Sequence, residues 1–223
     1  MRAIIFGATG MVGGGVLLEC LEHPDATSVL AIGRKPSGVT HDKLQEILHS
    51  DFFDYTQIED RLSGYDTCFF CLGVSSAGMS EERYTELTHD LTLAAAKTLV
   101  RLNPDMTFCY ISGAGADSTE QGRSMWARVR GRTENDLIQL GFKASYIFRP
   151  GYIQPMKGIK SKTTLYRTIY AVFAPLYPIF KRIAPHHVTT TEKVGLAMIQ
   201  VTKSGYDKQI LENRDINSLA GIP

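Results

Sequence analysis

This chain predicts an α/β fold built on a doubly wound parallel sheet, and three observations carry that reading. Its strand-like runs are short and continuously apolar, the pattern of parallel strands buried on both faces. Helical patterns separate them in regular alternation, as crossover connections require. The first apolar run leads directly into a glycine-rich turn and a helical pattern.

The first strand is expected over residues 3–6, and Gly7-Ala8-Thr9-Gly10-Met11-Val12-Gly13 follows it. Glycines spaced three apart, between a β-branched strand and a helix at 11–22, suit a dinucleotide pyrophosphate. Gly7 permits the tight turn, Gly10 lets backbone approach the phosphates, and Gly13 lets the helix pack close to the sheet. The helix start offers free N–H groups and a partial positive charge to the anion. Gly7, Thr9, Gly10, Met11, Val12 and Gly13 are therefore the expected cofactor contacts of this loop.

The second strand, at 29–32, runs into Gly33-Arg34-Lys35-Pro36 with no Asp or Glu at its tip. An acid there would hold the ribose hydroxyls of NAD; a guanidinium suits a 2′-phosphate instead. Arg34 and Lys35 thus point to NADP(H) over NAD(H). After a third strand at 44–48, the acid-aromatic segment Asp51-Phe52-Phe53-Asp54 is placed to cover the adenine edge, with Asp51 and Phe52 as the expected contacts. A helix is expected at 55–62. The fourth strand, 67–72, ends in Cys71-Leu72-Gly73, where small backbone must pass near the cofactor ribose. Cys68 and Cys71 have C-x-x-C spacing, but residues three apart on a strand face opposite ways, so buried reduced thiols are expected rather than a redox or zinc pair.

Helices at 81–102 and 126–140 flank a fifth strand at 106–111, and a sixth follows at 144–148. Beyond Pro150 the pattern changes, and residues 151–190 are expected to form a small C-terminal substrate or lid region of a single domain spanning 1–223. Its aromatic stretch, 164–183, has no uncharged run long enough for the roughly 20 residues that span a bilayer. Thr189-Thr190-Thr191-Glu192 reads as an N-cap before a helix at 193–202, and a last short strand is expected at 209–211.

At 223 residues, with 43% hydrophobic and 21% charged side chains, the composition is that of a soluble α/β domain. A formal net charge of +1 gives no field that calls for nucleic acid or anionic lipid as partner. No secretory signal pattern is present, and a cytoplasmic protein is expected. The adjacent His186 and His187 have no acidic or thiol cluster to complete a metal site, so no metal is expected.

Together these features resemble the atypical branch of the short-chain dehydrogenase/reductase superfamily, and more narrowly the Tat-interacting protein and its bacterial oxidoreductase-like relatives. The residues that carry the likeness are the glycine loop, Cys71-Leu72-Gly73, Gly115-Ala116-Asp117, Phe148-Arg149-Pro150-Gly151 and Leu211-Glu212-Asn213, in that order. The resemblance implies a Rossmann-like fold, NADP(H) binding and reductase chemistry on a small carbonyl-type substrate. It adds Ser112, Arg130, Pro150 and Gly151 to the expected cofactor-site residues, and makes the helices at 81–102 and 126–140 natural faces for a homodimer.

That superfamily works with a Tyr and a Lys one helical turn apart, plus a Ser or Thr after the fifth strand. Aligning Val129-Arg130-Gly131 with its Val-Lys-Gly puts Trp126 at the Tyr and Arg130 at the Lys. An indole N–H does not titrate in the useful range and cannot replace a tyrosyl acid. Ser112 is the matching hydroxyl, and the proton would come either from Tyr152, just past the sixth strand, or from a bound water. The literal Tyr177-Pro178-Ile179-Phe180-Lys181 lies too late in the chain. Two readings follow: an oxidoreductase whose catalytic candidates are Ser112, Arg130 and Tyr152, or a non-catalytic NADPH sensor that regulates a protein partner. A nucleotide-sugar epimerase is disfavoured by the short stretch after Pro150.

Overall fold

The computed structural model describes residues 1–159, 182 and 186–221. Among these residues the main sheet has seven strands, all parallel: β1 (Arg2–Phe6), β2 (Ser28–Gly33), β3 (Leu44–Leu48), β4 (Thr67–Phe70), β5 (Thr107–Ile111), β6 (Ala144–Arg149) and β9 (Ile210–Glu212). Their order is β3-β2-β1-β4-β5-β6-β9. The direction of winding reverses between β1 and β4, and that switch point opens a crevice at the carboxyl ends of the strands. A second, two-stranded parallel sheet pairs β7 (Tyr152–Gln154) with β8 (Val188–Thr190).

Alternate side chains of each strand feed two cores. Ile4, Phe6, Leu30, Ile32, Phe70 and Phe108 face one side, against α3 (Leu91–Leu102) and α4 (Met125–Gln139). Ala3, Ile5, Val29, Ala31, Phe69 and Cys109 face the other, against α1 (Met11–Glu22) and α5 (Thr191–Ser204). Phe6, Phe70, Phe108 and Phe142 form a row of rings with successive centroids 5.2, 5.9 and 4.9 Å apart. Each ring so buried contributes about 1.5–3 kcal/mol. The chain ends in α6 (Asn213–Leu219).

Cys68 lies in the first core and Cys71 packs against the second, so the C-x-x-C pair straddles the sheet. All four cysteines are free, and burial pushes their thiols above the ordinary range.

Two elements differ from expectation. The helix expected at 55–62 is only a single 3₁₀ turn, Glu59–Arg61. Local side-chain bonds compete with helix there: Asp51 Oδ1 accepts from the Phe53 N–H and Asp54 Oδ1 from the Thr56 N–H, both at 2.9 Å. The long helix expected at 81–102 is instead α2 (Glu81–Thr85), a π-helical segment Glu86–Asp90 and α3. The lid expected within 151–190 and the Tyr177–Lys181 pattern lie largely or wholly outside the described residues.

Candidate functional site

A cleft of about 750 Å³ opens at the switch point between β1 and β4. Gly7, Ala8 and Thr9 of the glycine loop form part of its lining, and Gly10 to Gly13 lie beyond it. Gly7 has φ of +80°, and a Cβ there would lie 2.8 Å from the Cys71 carbonyl oxygen. A Cβ on Gly13 would lie 2.2 Å from the Gly7 carbonyl oxygen, so α1 can meet the turn only without a side chain. Gly10 is different: a Cβ there would meet only the Gly7 oxygen, at 3.2 Å. Its bareness is not demanded by packing and leaves room beside the helix start.

That start is open. Gly10 caps α1 with no side-chain bond, and the first turn holds no acid. By contrast α5 is closed by Thr190, whose hydroxyl accepts from the Lys193 N–H at 3.0 Å. An uncapped helix N-terminus next to a cleft keeps its N–H groups for an anion. The loop therefore fits a pyrophosphate by shape and by charge.

Gly7, Thr9, Leu72 and Gly73 line the cleft, as do Arg34, Lys35, Asp51 and Phe52 farther along. Arg34 and Lys35 are exposed, and neither forms an ion pair among the described residues. The turn that carries them is held by Glu46, whose carboxylate accepts from the Ser37 N–H at 2.8 Å. Phe52 is buried and forms a wall; its neighbour Phe53 is 46% exposed on the rim. Met11, Val12 and Gly13 sit in the first turn of α1, and Cys71 backs the loop with its carbonyl while its thiol is buried.

The other expected site residues lie at the ends of β5 and β6, and most of their polar groups are occupied. Ser112 donates its hydroxyl to Glu134, which is fully buried. Glu134 also receives Nε and Nη2 of Arg149, whose Nη2 further donates to Ser118. Tyr152 donates its hydroxyl to Gln154 Oε1 at 2.8 Å on the same strand. Both hydroxyls expected to act catalytically are thus spent on protein acceptors. Pro150 takes the Ala114 N–H on its carbonyl at 3.0 Å. Gly151 donates to Asn213 Oδ1 at 3.1 Å, and a Cβ there would lie 2.4 Å from the His187 carbonyl. Pro150 and Gly151 therefore join β6 to the small sheet rather than line the cleft.

Arg130, from α4, is the exception. Its Nε donates to the Tyr84 hydroxyl and its Nη1 to the Ile111 carbonyl, each at 3.1 Å. Among the described residues it bonds only these neutral oxygens. Burial works against its charge, yet the Tyr110 and Tyr84 hydroxyls and the Glu134 carboxylate hold its pKa above the ordinary value. Nη2 approaches the cleft-lining Gly73, 3.7 Å from where a Cβ would stand. One turn earlier on α4, the Trp126 ring lies over Gly115. Gly131 completes the Val-Arg-Gly run because the Asp117 carbonyl sits where its Cβ would be, 1.7 Å away.

Sequence reading missed Ser37, Glu46, Val74 and Arg83 in the cleft, and the partners Tyr84 and Glu134. Tyr84 had a chemical signal, because an arginine in a lysine's place needs acceptors for its fork.

No family model matches the chain. It is 32% identical over 155 residues to the protein FMP52, mitochondrial, of Saccharomyces cerevisiae, a match covering 68% of this chain and 65% of that protein. The Emericella nidulans protein of the same name is 31% identical over 156 residues, with 67% and 65% covered. The match thus spans just under two thirds of the length of these relatives. Against the Meyerozyma guilliermondii protein it extends over 226 residues at 24% identity, covering 92% and 95%. The relatives' names overturn the cytoplasmic expectation, since each is called mitochondrial.

Among solved structures, a UDP-glucose 4-epimerase superposes with a TM-score of 0.70 at 13% identity, covering 98% of this chain and 80% of that one. A short-chain dehydrogenase/reductase of Saccharomyces cerevisiae gives 0.68 at 10%, with both chains fully covered. MoeE5, solved with UDP-glucose and NAD, gives 0.67 at 14%, with 99% and 81% covered. The fold is therefore the Rossmann-like α/β fold of short-chain dehydrogenases, reductases and epimerases.

Proposed function

We propose that this chain binds NADP(H) across the switch-point cleft and transfers hydride between it and a small carbonyl-type substrate. The observation that carries the reading is an open, uncapped glycine loop beside a cleft that also holds Arg34 and Lys35, cations without an ion pair among the described residues. The loop fits the pyrophosphate, and Arg34 and Lys35 fit a 2′-phosphate better than a bare ribose. The NAD bound in MoeE5, a neighbour in fold, supports a nicotinamide dinucleotide as the ligand. The likeness to the Tat-interacting family belongs to this proposal and supports the same cofactor.

The bound nicotinamide supplies the hydride, and the protein's part is to hold and orient it. Gly73 and Arg130 Nη2, which approach one another at the ends of β4 and β5, would hold the nicotinamide ribose. Among the described residues, the candidates at this end of the cleft are engaged or do not titrate. Trp126 does not titrate, and the Ser112 and Tyr152 hydroxyls are donated to Glu134 and Gln154. The proton is therefore assigned to a bound water, and turnover without a positioned acid is expected to be slow by about 10²–10⁴-fold.

That same arrangement favours a second reading, an NADPH sensor that acts through a protein partner. Calorimetric titration of NADPH and NADH, followed by NADPH oxidation with a panel of carbonyl compounds, separates the two. NADPH binding with turnover supports the enzyme, and binding without turnover supports the sensor. Failure to bind either nucleotide refutes both.

A further inference from the structure

We propose that Tyr84 is a positioning residue for Arg130: it fixes the guanidinium plane so that Nη2 faces the cleft at Gly73 and holds an oxygen of the nicotinamide ribose. The inference rests on the NADP(H) reading above.

A lysine ammonium is a compact charge that serves an oxygen from many directions. A guanidinium is a planar fork, useful only when its plane is set. Two bonds set it here. Arg130 Nε donates to the Tyr84 hydroxyl and Nη1 to the Ile111 carbonyl, from opposite ends of the fork. The remaining nitrogen, Nη2, bonds nothing among the described residues and lies toward Gly73.

Tyr84 is itself firmly held. Its side chain is 1% exposed on α2. Ser80 caps that helix by accepting from the Arg83 N–H at 3.3 Å, and Arg128 of α4 pairs with Glu81 at 2.5 Å. The π-helical segment Glu86–Asp90 then separates α2 from α3. Such a segment inserts an extra residue and turns the helix face, and it recurs at functional sites. Here it allows Tyr84 to meet α4 while Leu93 and Ala96 of α3 face the core.

The surroundings keep Arg130 charged and leave its Nη2 for a ligand. Burial pushes the nearby Tyr110 phenol up to about 12, against the pull of Arg130, so it stays neutral. Glu134 is engaged by Arg149 and Ser112. A partly buried cation whose direct hydrogen bonds go only to neutral oxygens gains from an oxygen-rich partner at its remaining nitrogen.

The test is Tyr84→Phe, which removes the acceptor and keeps the ring. NADPH titration by calorimetry is expected to show about five- to tenfold weaker binding. Arg130→Ala should weaken binding at least as much, and the double variant should be no worse than Arg130→Ala alone. In the Arg130→Lys background, Tyr84→Phe should have no further effect, because an ammonium needs no fork partner. Without nucleotide, the Arg130 Nε–H NMR signal should be protected from exchange in the wild type and lose that protection in Tyr84→Phe. Wild-type NADPH affinity in Tyr84→Phe, or effects that multiply in the double variant, would overturn the inference alone. A wild type that does not bind NADPH overturns the cofactor reading and this inference with it, whatever the NMR signal shows.

Discussion

The two halves of the sheet's carboxyl edge follow opposite plans. From β1 to β3 the polar groups are left open: an uncapped helix start, a bare Gly10, and Arg34 and Lys35 without ion pairs among the described residues. From β5 to β6 the polar groups satisfy one another: Ser112 with Glu134, Glu134 with Arg149, Tyr152 with Gln154, Gly151 with Asn213. Open groups lower the free energy only when a ligand arrives. Closed groups contribute to the fold and have little left for a ligand. Substitutions in the first half should therefore change nucleotide affinity and spare stability, and those in the second should do the reverse.

The largest effect is expected at Glu134. Removing it in Glu134→Ala leaves Arg149 without its buried partner and Ser112 without an acceptor. The loss should be about 3–5 kcal/mol of unfolding free energy, read by urea titration. The fraction still folded should bind NADPH within about twofold of wild type, the resolution of a titration when no contact is lost. A large affinity loss with normal stability would break the contrast, because it would place Glu134 in the ligand site.

Next comes Gly10→Ala. The free protein has room for that methyl after a small shift of the Gly7 carbonyl, 3.2 Å away, and the backbone there is ordinary extended chain at φ −83°. Stability should fall by no more than about 1 kcal/mol, the cost of replacing glycine at an N-cap. NADPH affinity should fall by about tenfold or more, since the methyl occupies the approach of the phosphates. A variant that binds normally would mean that the pyrophosphate does not lie over Gly10.

The contrast also explains what was legible from sequence. Open groups are local. Gly7 to Gly13 and Gly33 to Lys35 each lie in one short run, and helix Met11–Glu22 and strand Leu44–Leu48 fall where the apolar pattern puts them. Closed groups, the neighbours Tyr152 and Gln154 apart, are paired over separations that one sequence does not display. Ser112 meets Glu134 across 22 residues, Tyr84 meets Arg130 across 46, and Gly151 meets Asn213 across 62. Ser112 thus reads as a free hydroxyl until the fold places a carboxylate against it. The segment at 55–62 failed for a local reason: the helical spacing of Tyr55, Ile58 and Leu62 was right for burial, but Asp51 and Asp54 divert the backbone into turns. The relatives' mitochondrial names concern cellular placement, which neither plan encodes in side-chain packing.

A smaller effect tests cofactor choice within the open half. Arg34→Ala should weaken NADPH by about tenfold, the loss of one charge-assisted contact to a phosphate, with NADH changed by less than about twofold. Paired titrations of the two nucleotides read the difference directly. Equal losses for both would move Arg34 from the 2′-phosphate to a part shared by the two cofactors, and Lys35 would become the residue to vary.

The smallest effect should come from Tyr152→Phe, and it tests the closed half where a catalytic role was expected from sequence. The hydroxyl is donated to Gln154 on the same strand, and the backbone of Tyr152 is held by the His187 carbonyl at 2.9 Å. Deleting it removes one bond at the margin of the small sheet and should cost about 0.5–1.5 kcal/mol of stability. If turnover with a carbonyl substrate is found, kcat should stay within about threefold, because a positioned general acid is worth about 10²-fold or more and its loss would not be missed. A fall of that larger size, with a pH profile that loses its basic limb, would mean that Tyr152 exchanges Gln154 for substrate during turnover. The two halves would then differ in timing rather than in plan, with the second opening only once the first is filled.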